Sequence, residues 1–342
     1  MLDDGTMSEF NIHQNKTVTL KYLMPEVIET YLTQYGDRVA CVVGYGRNCF
    51  TALRTGFPML WVDTPISSGD AVYEVWTCDK PVSQYRDELI SGAGNEDVFF
   101  GCISVQFDSA QNFSEAAQYT YSSIFSFLQS SIYPNLLRVW NYFPDIIAIE
   151  AGIERYRSFS VGRHEAFVRF NKRVDDSPSA CVIGSHGGPL NIYFLASSSP
   201  GVQIENPRQT SAYKYPKQYG PRSPIFSRAT LAFQGGSQTL FISGTASILG
   251  HATVHPGSVS LQTHETMNNI LAVINQAVLE GFKFAGFESG MALKVYVRHK
   301  EHLSIVQDII REEWGELQEL AVLQADLCRE DLLMEIEAVC WS

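Results

Sequence analysis

The sequence predicts an α+β protein made of two tandem units, each a mixed sheet with helices packed on one face, preceded by a β-rich extension at the N-terminus. Three observations carry this. The order strand, helix, strand, helix, strand occurs twice along the chain. The helical stretches are apolar on one side only, and the strand-like runs are bounded by Gly- and Pro-containing breaks. Elements in that order bury their apolar faces by laying helices on one side of a sheet. With 342 residues, 45% hydrophobic and 12% aromatic, the chain can bury one large core or two modest ones.

The first unit opens with VFFGCISVQF from Val98. A helix-like stretch follows from Ser114 to about Leu137, then the strand-like RVWNYF, a second helical stretch from about Ile153 to Phe170, and two closing strands, PSACVIGS and NIYFLAS. The second unit opens with TLFISGTASI. Its first helix, ETMNNILAVINQAVLEG, gathers Ile270, Val273, Ile274, Ala277 and Val278 on one face and stops at Gly281. In ALKVYVRH, Leu293, Val295 and Val297 alternate with Lys294, Tyr296 and Arg298, which points the second set towards a unit interface or solvent. HLSIVQDIIREEWGEL is the second helix, and AVLQADL and LLMEIEAVC are the closing strands. Residues 17–95 read as short strands (TVTLKYL, RVACVVGYG, MLWVDTP, AVYEVWT) divided by turns. Residues 199–236, rich in Pro, Gly, Ser, Tyr and Arg, form a loop too long for a simple connection and read as ordered and functional. The expected division is an N-terminal domain of residues 1–199 and a C-terminal, site-bearing domain of residues 200–342.

A formal net charge of −12 argues against nucleic acid or an anionic membrane as partner, since both need a basic surface. Cations are nevertheless concentrated in one stretch, where Arg208, Lys214, Lys217, Arg222 and Arg228 fall close together, which suits an anionic small molecule. No window is apolar enough to span a bilayer, and the polar start MLDDGTMSEF lacks the layout of a secretory signal, so a cytoplasmic location is expected. The seven cysteines, Cys41, Cys49, Cys78, Cys102, Cys181, Cys328 and Cys340, lack metal-ligand spacing and read as reduced. His251, His255 and His264 are irregularly spaced, and the Gly-rich fragments GYG and SHGG lack phosphate-loop spacing. No metal, nucleotide or other cofactor is expected, and the oligomeric state is left open.

From about Arg138 onwards the phrases NPRQTSAY, YGPRSPIFSRA, SGTASILGH and QADLCREDLLMEIEA resemble the chorismatases, which include 3-hydroxybenzoate synthases and dienediol-forming chorismate hydrolases. The repeated units also resemble the RidA-like fold, whose ligand sites lie where one unit meets another. The resemblance implies cleavage of the enolpyruvyl group of chorismate, giving pyruvate and a hydroxybenzoate. The 3-hydroxy isomer is expected, alone or with the 4-hydroxy isomer. Hydrolysis to a dihydroxycyclohexadiene carboxylate is the alternative within enzymes, and a RidA-like metabolite-binding or imine-deaminating protein is the alternative outside the family's chemistry.

Such a substrate carries two carboxylates and an enol ether, so its site needs cationic anchors and one acid. Arg208, Arg222, Arg228 and Arg298 are the candidate anchors, because a planar guanidinium pairs with a carboxylate in two parallel hydrogen bonds. Tyr213, Tyr215 and Tyr219 are candidate hydroxyl donors and flat walls. Gly244 lets backbone approach a ligand, and Thr245 and Ser247 are candidate donors beside it. Protonating the enol-ether methylene calls for an acid with a raised pKa. By periodicity alone Glu335 and Glu337 are rivals, and both would ordinarily form a solvated strand face. The resemblance places the acid seven residues after the DLCR cysteine, which selects Glu335. It also implies that Cys328 together with Gly244 marks the 3-hydroxybenzoate-forming branch.

Overall fold

Among the described residues three large sheets form, besides two short two-stranded hairpins. A computed structural model describes residues 16–46, 56–67, 71–107 and 113–342, so Cys49 lies outside the described residues. The first sheet holds β1 (Val18–Leu23), β2 (Val39–Gly46), β3 (Met59–Val62) and β4 (Ala71–Cys78), with helix α1 (Pro25–Tyr35). The second holds β5 (Ser83–Arg86), β6 (Ser91–Gly94), β7 (Val98–Val105) and β8 (Asn135–Pro144), a short hairpin of β9 (Ile149–Glu150) and β10 (Ile153–Glu154) lying apart, and then β11 (Ser179–Ser185) and β12 (Leu190–Ser197). Its helices are α2 (Phe113–Ser130) and α3 (Arg155–Arg169). The third holds β13 (Val202–Ile204), β14 (Ala229–Gln234), β15 (Ser237–Thr245), β18 (Met291–Val297), β19 (Glu319–Gln324) and β20 (Met334–Trp341). Between β15 and β18 come the hairpin β16 (Ile248–Leu249) and β17 (Ala252–Thr253), helix α4 (Val259–Leu279) and the short α5 (Phe287–Gly290), while α6 (Leu303–Trp314) precedes β19.

The strand orders β1-β4-β2-β3, β7-β12-β8-β11 and β15-β20-β18-β19 are one topology repeated three times. In each, one pair is parallel (β2 with β3, β8 with β11, β18 with β19) and the last strand lies antiparallel in the middle. The expected β-rich extension is therefore a shortened third copy. Its helix α1 falls within residues read as short strands, although Pro25 stands in the first turn, where a missing N–H costs nothing, and Ile28, Tyr31 and Leu32 recur at helical spacing and are buried. The register makes Tyr45, Tyr142 and Tyr296 equivalent, facing Val72, Asn191 and Glu335 across their respective central strands.

Each sheet turns one face to its own helices, as Val42 and Val75 do to α1, Val139 and Phe194 to α2 and α3, and Leu293 and Ile336 to α4 and α6. The three opposite faces share a common core that includes Val43, Trp76, Trp140, Tyr193, Phe241 and Tyr296. Lys294 and Tyr296 thus point into this core and are almost fully buried, not solvated. The ends of the parallel strands close the ring through backbone hydrogen bonds. His186 N donates to Asp63 O (2.8 Å), Gly184 N to Asp326 O (2.8 Å) and Gln324 N to Pro65 O (2.7 Å), so each sheet is tied to both others.

The helix expected to run from Ser114 to about Leu137 ends at Ser130. Pro134 disfavours helical backbone in the residue before it, and the apolar residues that follow are claimed by β8, between β11 and β12. Among the described residues no helix is long and apolar enough to cross a membrane.

Helices α2 and α3 pack closely because Gly162 has no side chain: a Cβ there would run into the Ser114 carbonyl. Gly162→Ala is expected to destabilise the protein by about 1–3 kcal/mol, the range for overpacking a close contact. Urea unfolding measures this, and an unchanged midpoint would show that the two helices part without cost.

Candidate active site

Strand β20 carries the sequence MEIEAVCW. Its alternation sends Met334, Ile336, Ala338 and Cys340 to the helix side and Glu335 and Glu337 to the opposite, inner face, where both are about 5% exposed or less. The two carboxylates meet different fates. Burial works against ionising Glu337, but Lys294 (2.7 Å) and Arg138 outweigh it and hold its pKa below the ordinary value. Trp140 Nε1 and the Tyr296 hydroxyl each donate to it at 3.1 Å. Glu335 has no ion pair among the described residues. Burial, and then the negative charge of Glu337, push its pKa up to about 8 against a smaller opposing pull from Arg138. Near neutral pH it is a protonated acid.

Glu335 forms part of the wall of a cavity of about 430 Å³ between the second and third sheets. The start of α3 supplies Tyr156 and Arg157, with Glu154 just before it. The segment between β19 and β20 supplies Cys328, Arg329 and Leu332. Tyr215, Tyr219, Phe226 and Arg228 come from the loop between β13 and β14, and Gly244, Ala246 and Ile248 from the end of β15 and beyond. The pairing of β15 with β20 shifts register between Ile242 and Thr245. At this irregularity Gly244 lies so close to Glu335 that a Cβ would collide with Oε1, and it would also come within 3.1 Å of Cys181 Cβ. Glycine at 244 is thus what allows the carboxyl its position.

Three guanidinium groups reach the cavity. Arg228 donates through Nη2 to Thr210 O and to the Tyr215 hydroxyl, both at 2.8 Å, while its Nε is buried without a partner among the described residues. Arg329 stacks 4.2 Å from the Tyr219 ring centre and donates to His251 O (3.0 Å) and Thr253 Oγ1 (3.2 Å). Arg157 lies 3.7 Å from Glu154. The Tyr219 hydroxyl shares a hydrogen bond with His251 Nδ1 at 3.0 Å. Burial, then the proximity of Glu335, raise the Cys328 thiol to about 12, so it stays a neutral thiol and a poor nucleophile. No group of three or more His, Cys, Asp or Glu among the described residues could hold a metal ion.

Of the residues selected from sequence, Glu335, Cys328, Gly244, Arg228, Tyr215 and Tyr219 line this cavity. The others do not. Arg208 is turned to α4, where it donates to Glu265 (2.7 Å) and Asn269 (2.8 Å), because both carboxylate and amide are already in reach. Arg222 is exposed beside Glu165, and Tyr213 stands in a short 3-10 turn under Lys214. Thr245 donates to Ser243 O (2.7 Å) and Ser247 to Val254 O (2.8 Å), so both hydroxyls serve the turn itself. Arg298 binds the carbonyls of Leu332 (2.9 Å) and Arg329 (2.8 Å) and the carboxylate of Asp326 (2.7 Å). It fixes the segment that presents Cys328 and Arg329.

Arg329, Arg157 and Tyr156 were missed. Arg329 sits beside Cys328 in the phrase QADLCRED, outside any periodic element, and Tyr156 and Arg157 occupy a helix start whose orientation depends on how two sheets meet. Only the adjacency of Arg329 to Cys328 was a signal available in the sequence.

A buried carboxyl and three guanidinium groups line one crevice between repeated units, an arrangement suited to a small anionic molecule. The chain belongs to the chorismatase family. A family model described as chorismatase FkbO/Hyg5-like, N-terminal, matches residues 74–196. A 3-hydroxybenzoate synthase of Streptomyces hygroscopicus is 37% identical over 314 residues, covering 89% of this chain and 92% of that protein. A chorismatase of Streptomyces rapamycinicus is 38% identical over 298 residues, covering 84% and 88%. The crystal structure of a chorismatase superposes with a TM-score of 0.84 at 33% identity, covering 94% of this chain and 98% of that one.

A carboxyl whose folded pKa lies above its unfolded value stabilises the protein at low pH and loses that contribution as pH rises from the ordinary value, 4.5, through about 8. In that window Glu335 makes stability fall by up to about 1.4 kcal/mol per pH unit. Glu335→Gln, which cannot ionise, is expected to gain steadily on the parent protein across the window in chemical unfolding. Parallel pH profiles would show that Glu335 is not held neutral by the fold.

Proposed function

We propose that this enzyme cleaves chorismate to pyruvate and 3-hydroxybenzoate, with Glu335 as the acid. The observation that carries the reading is a buried, protonated carboxyl opening onto a cavity that also holds Arg228 and Arg329. Arg228, with its unpartnered Nε, and Arg329, clamped over Tyr219, take the two substrate carboxylates. Tyr215 and Tyr219 form the flat wall against the ring. The Glu335 carboxyl gives its proton to the terminal methylene of the enol ether, and the resulting oxocarbenium ion is stabilised by the carboxylate left behind.

Two exits follow from that ion. If water adds to the cationic carbon, the ring keeps both oxygens and the products are pyruvate and a dihydroxycyclohexadiene. If no water adds, the ring–oxygen bond at C3 breaks and that oxygen leaves as the pyruvate carbonyl. The product oxygen is then the one on C4, and a 3-hydroxy product requires its transfer to C3. Losing a ring proton restores the balance, because chorismate equals hydroxybenzoate plus pyruvate with no net water. Cys328, beside Glu335 and neutral, occupies volume that an alanine would leave to water. The identity to a protein named 3-hydroxybenzoate synthase supports the same branch.

Glu335→Gln is expected to lower pyruvate release by about 10²–10⁴-fold while chorismate binding, followed by calorimetry, stays within a few-fold. Unimpaired turnover in that variant ends the acid assignment. Because the acid form is the active one, parent turnover should fall as pH rises through about 8. Cys328→Ala should shift product from hydroxybenzoate to the dihydroxycyclohexadiene, read by chromatography, and an unchanged ratio removes Cys328 from product control.

A further inference from the structure

Four charged side chains meet in the common core, each less than about 5% exposed: Glu74 from the first sheet, Arg138 from the second, and Lys294 and Glu337 from the third. They form a chain. Lys294 Nζ lies 2.5 Å from Glu74 and 2.7 Å from Glu337, and Glu337 pairs with Arg138 through its other oxygen. Trp76 Nε1 (2.6 Å) and the hydroxyl of Tyr193 (2.9 Å) donate to Glu74, and the Tyr45 hydroxyl accepts from Lys294 at 2.9 Å. Two cations and two anions sum to zero.

Glu335 adjoins this chain without joining it. It lies two residues before Glu337 on the same face of β20, about 7 Å away by strand geometry. Tyr296 faces it from β18 with Lys294 beyond, Arg138 from β8 and Cys181 from β11. Cys328 and Arg329 approach from the segment before β20, Tyr156 and Glu154 from around the start of α3, and Tyr215 and Arg228 from the loop before β14. A buried charge is costly unless it is paired. Glu337 has engaged both core cations, so an ionised Glu335 would be a fifth, uncompensated charge.

We infer that Glu337 is a positioning residue for catalysis: by occupying Lys294 and Arg138 it keeps Glu335 in the neutral form that donates the proton. The inference rests on Glu335 being the acid. It explains why two glutamates at alternate positions are both buried yet have opposite protonation. It also gives the core quartet a catalytic purpose beyond holding three sheets together, since replacing such an ion network with apolar residues often costs no stability.

The test is the pH profile of chorismate-dependent pyruvate release by the full chain. Glu337→Gln leaves the quartet at +1, and the alkaline limb near pH 8 should move down by at least about one unit, a tenfold loss of proton affinity. Lys294→Gln leaves it at −1, and the limb should move up. The double variant Glu74→Gln/Lys294→Gln keeps the Glu337–Arg138 pair and a net charge of zero, so its limb should stay within about half a unit of the parent. A merely structural role for Glu337 lowers activity or stability in these variants and leaves the limb in place. An unmoved limb in Glu337→Gln, or shifts of the same sign in Glu337→Gln and Lys294→Gln, overturns the inference. Should Glu337→Gln fail to fold, Lys294→Gln and the double variant decide by the same signs. Full turnover in Glu335→Gln would instead overturn the acid assignment, which separates the two failures.

Discussion

The structure depends on one constraint: charges enclosed by three sheets must cancel where no water can reach them. Lys294 is the residue that meets it, with one carboxylate from the first sheet and one from its own on either side of its ammonium. An ion of that kind taken from water without partners would cost several kcal/mol, a large share of a domain's net stability. The first sheet is therefore more than an extension, because it brings Glu74 to the centre, and the same closure places the second sheet's Arg138 against Glu337. The ring of backbone hydrogen bonds at the strand ends holds the three contributors in register.

The site inherits its geometry from that closure. Glu335 faces inward because it shares a strand face with Glu337, and its cavity lies where the start of α3, from the second unit, meets the bulged end of β15 and the segment before β20 in the third. Gly244 then fixes how close the acid approaches the backbone. Arg298 does for the segment before β20 what a metal or a disulfide does in other loops: three carbonyls and a carboxylate converge on one guanidinium. Arg329, held in that scaffold, reaches the cavity.

What was legible in the sequence divides along physical lines. Periodicity located the main helices and the four repeated strands of the second and third sheets, because half-buried elements carry their own pattern, and the alternation in MEIEAV put both glutamates on one side, but β13 and β14 lie in what read as a loop. Which of those sides met solvent was not legible, because both faces of β20 are buried and the inner one is polar through long-range partners. The third repeat escaped for a related reason: with one helix and short strands, β1 to β4 read as an extension until the register showed the equivalence of Tyr45, Tyr142 and Tyr296. Arginines were the least legible of all. Each has five donors and many acceptable partners, so local sequence did not distinguish Arg228, which opens onto the cavity, from Arg208, which is satisfied on α4.

The threefold repetition lies within a single polypeptide, and that has an evolutionary consequence. In a ring of identical subunits, any change is made three times, so an acid introduced at one junction appears at all of them and brings three buried charges to be neutralised. Here the positions across from the three equivalent tyrosines hold valine, asparagine and glutamate, respectively. Covalent linkage has released each junction from copying its neighbours, leaving one free to specialise in chemistry while the remaining two drift towards support.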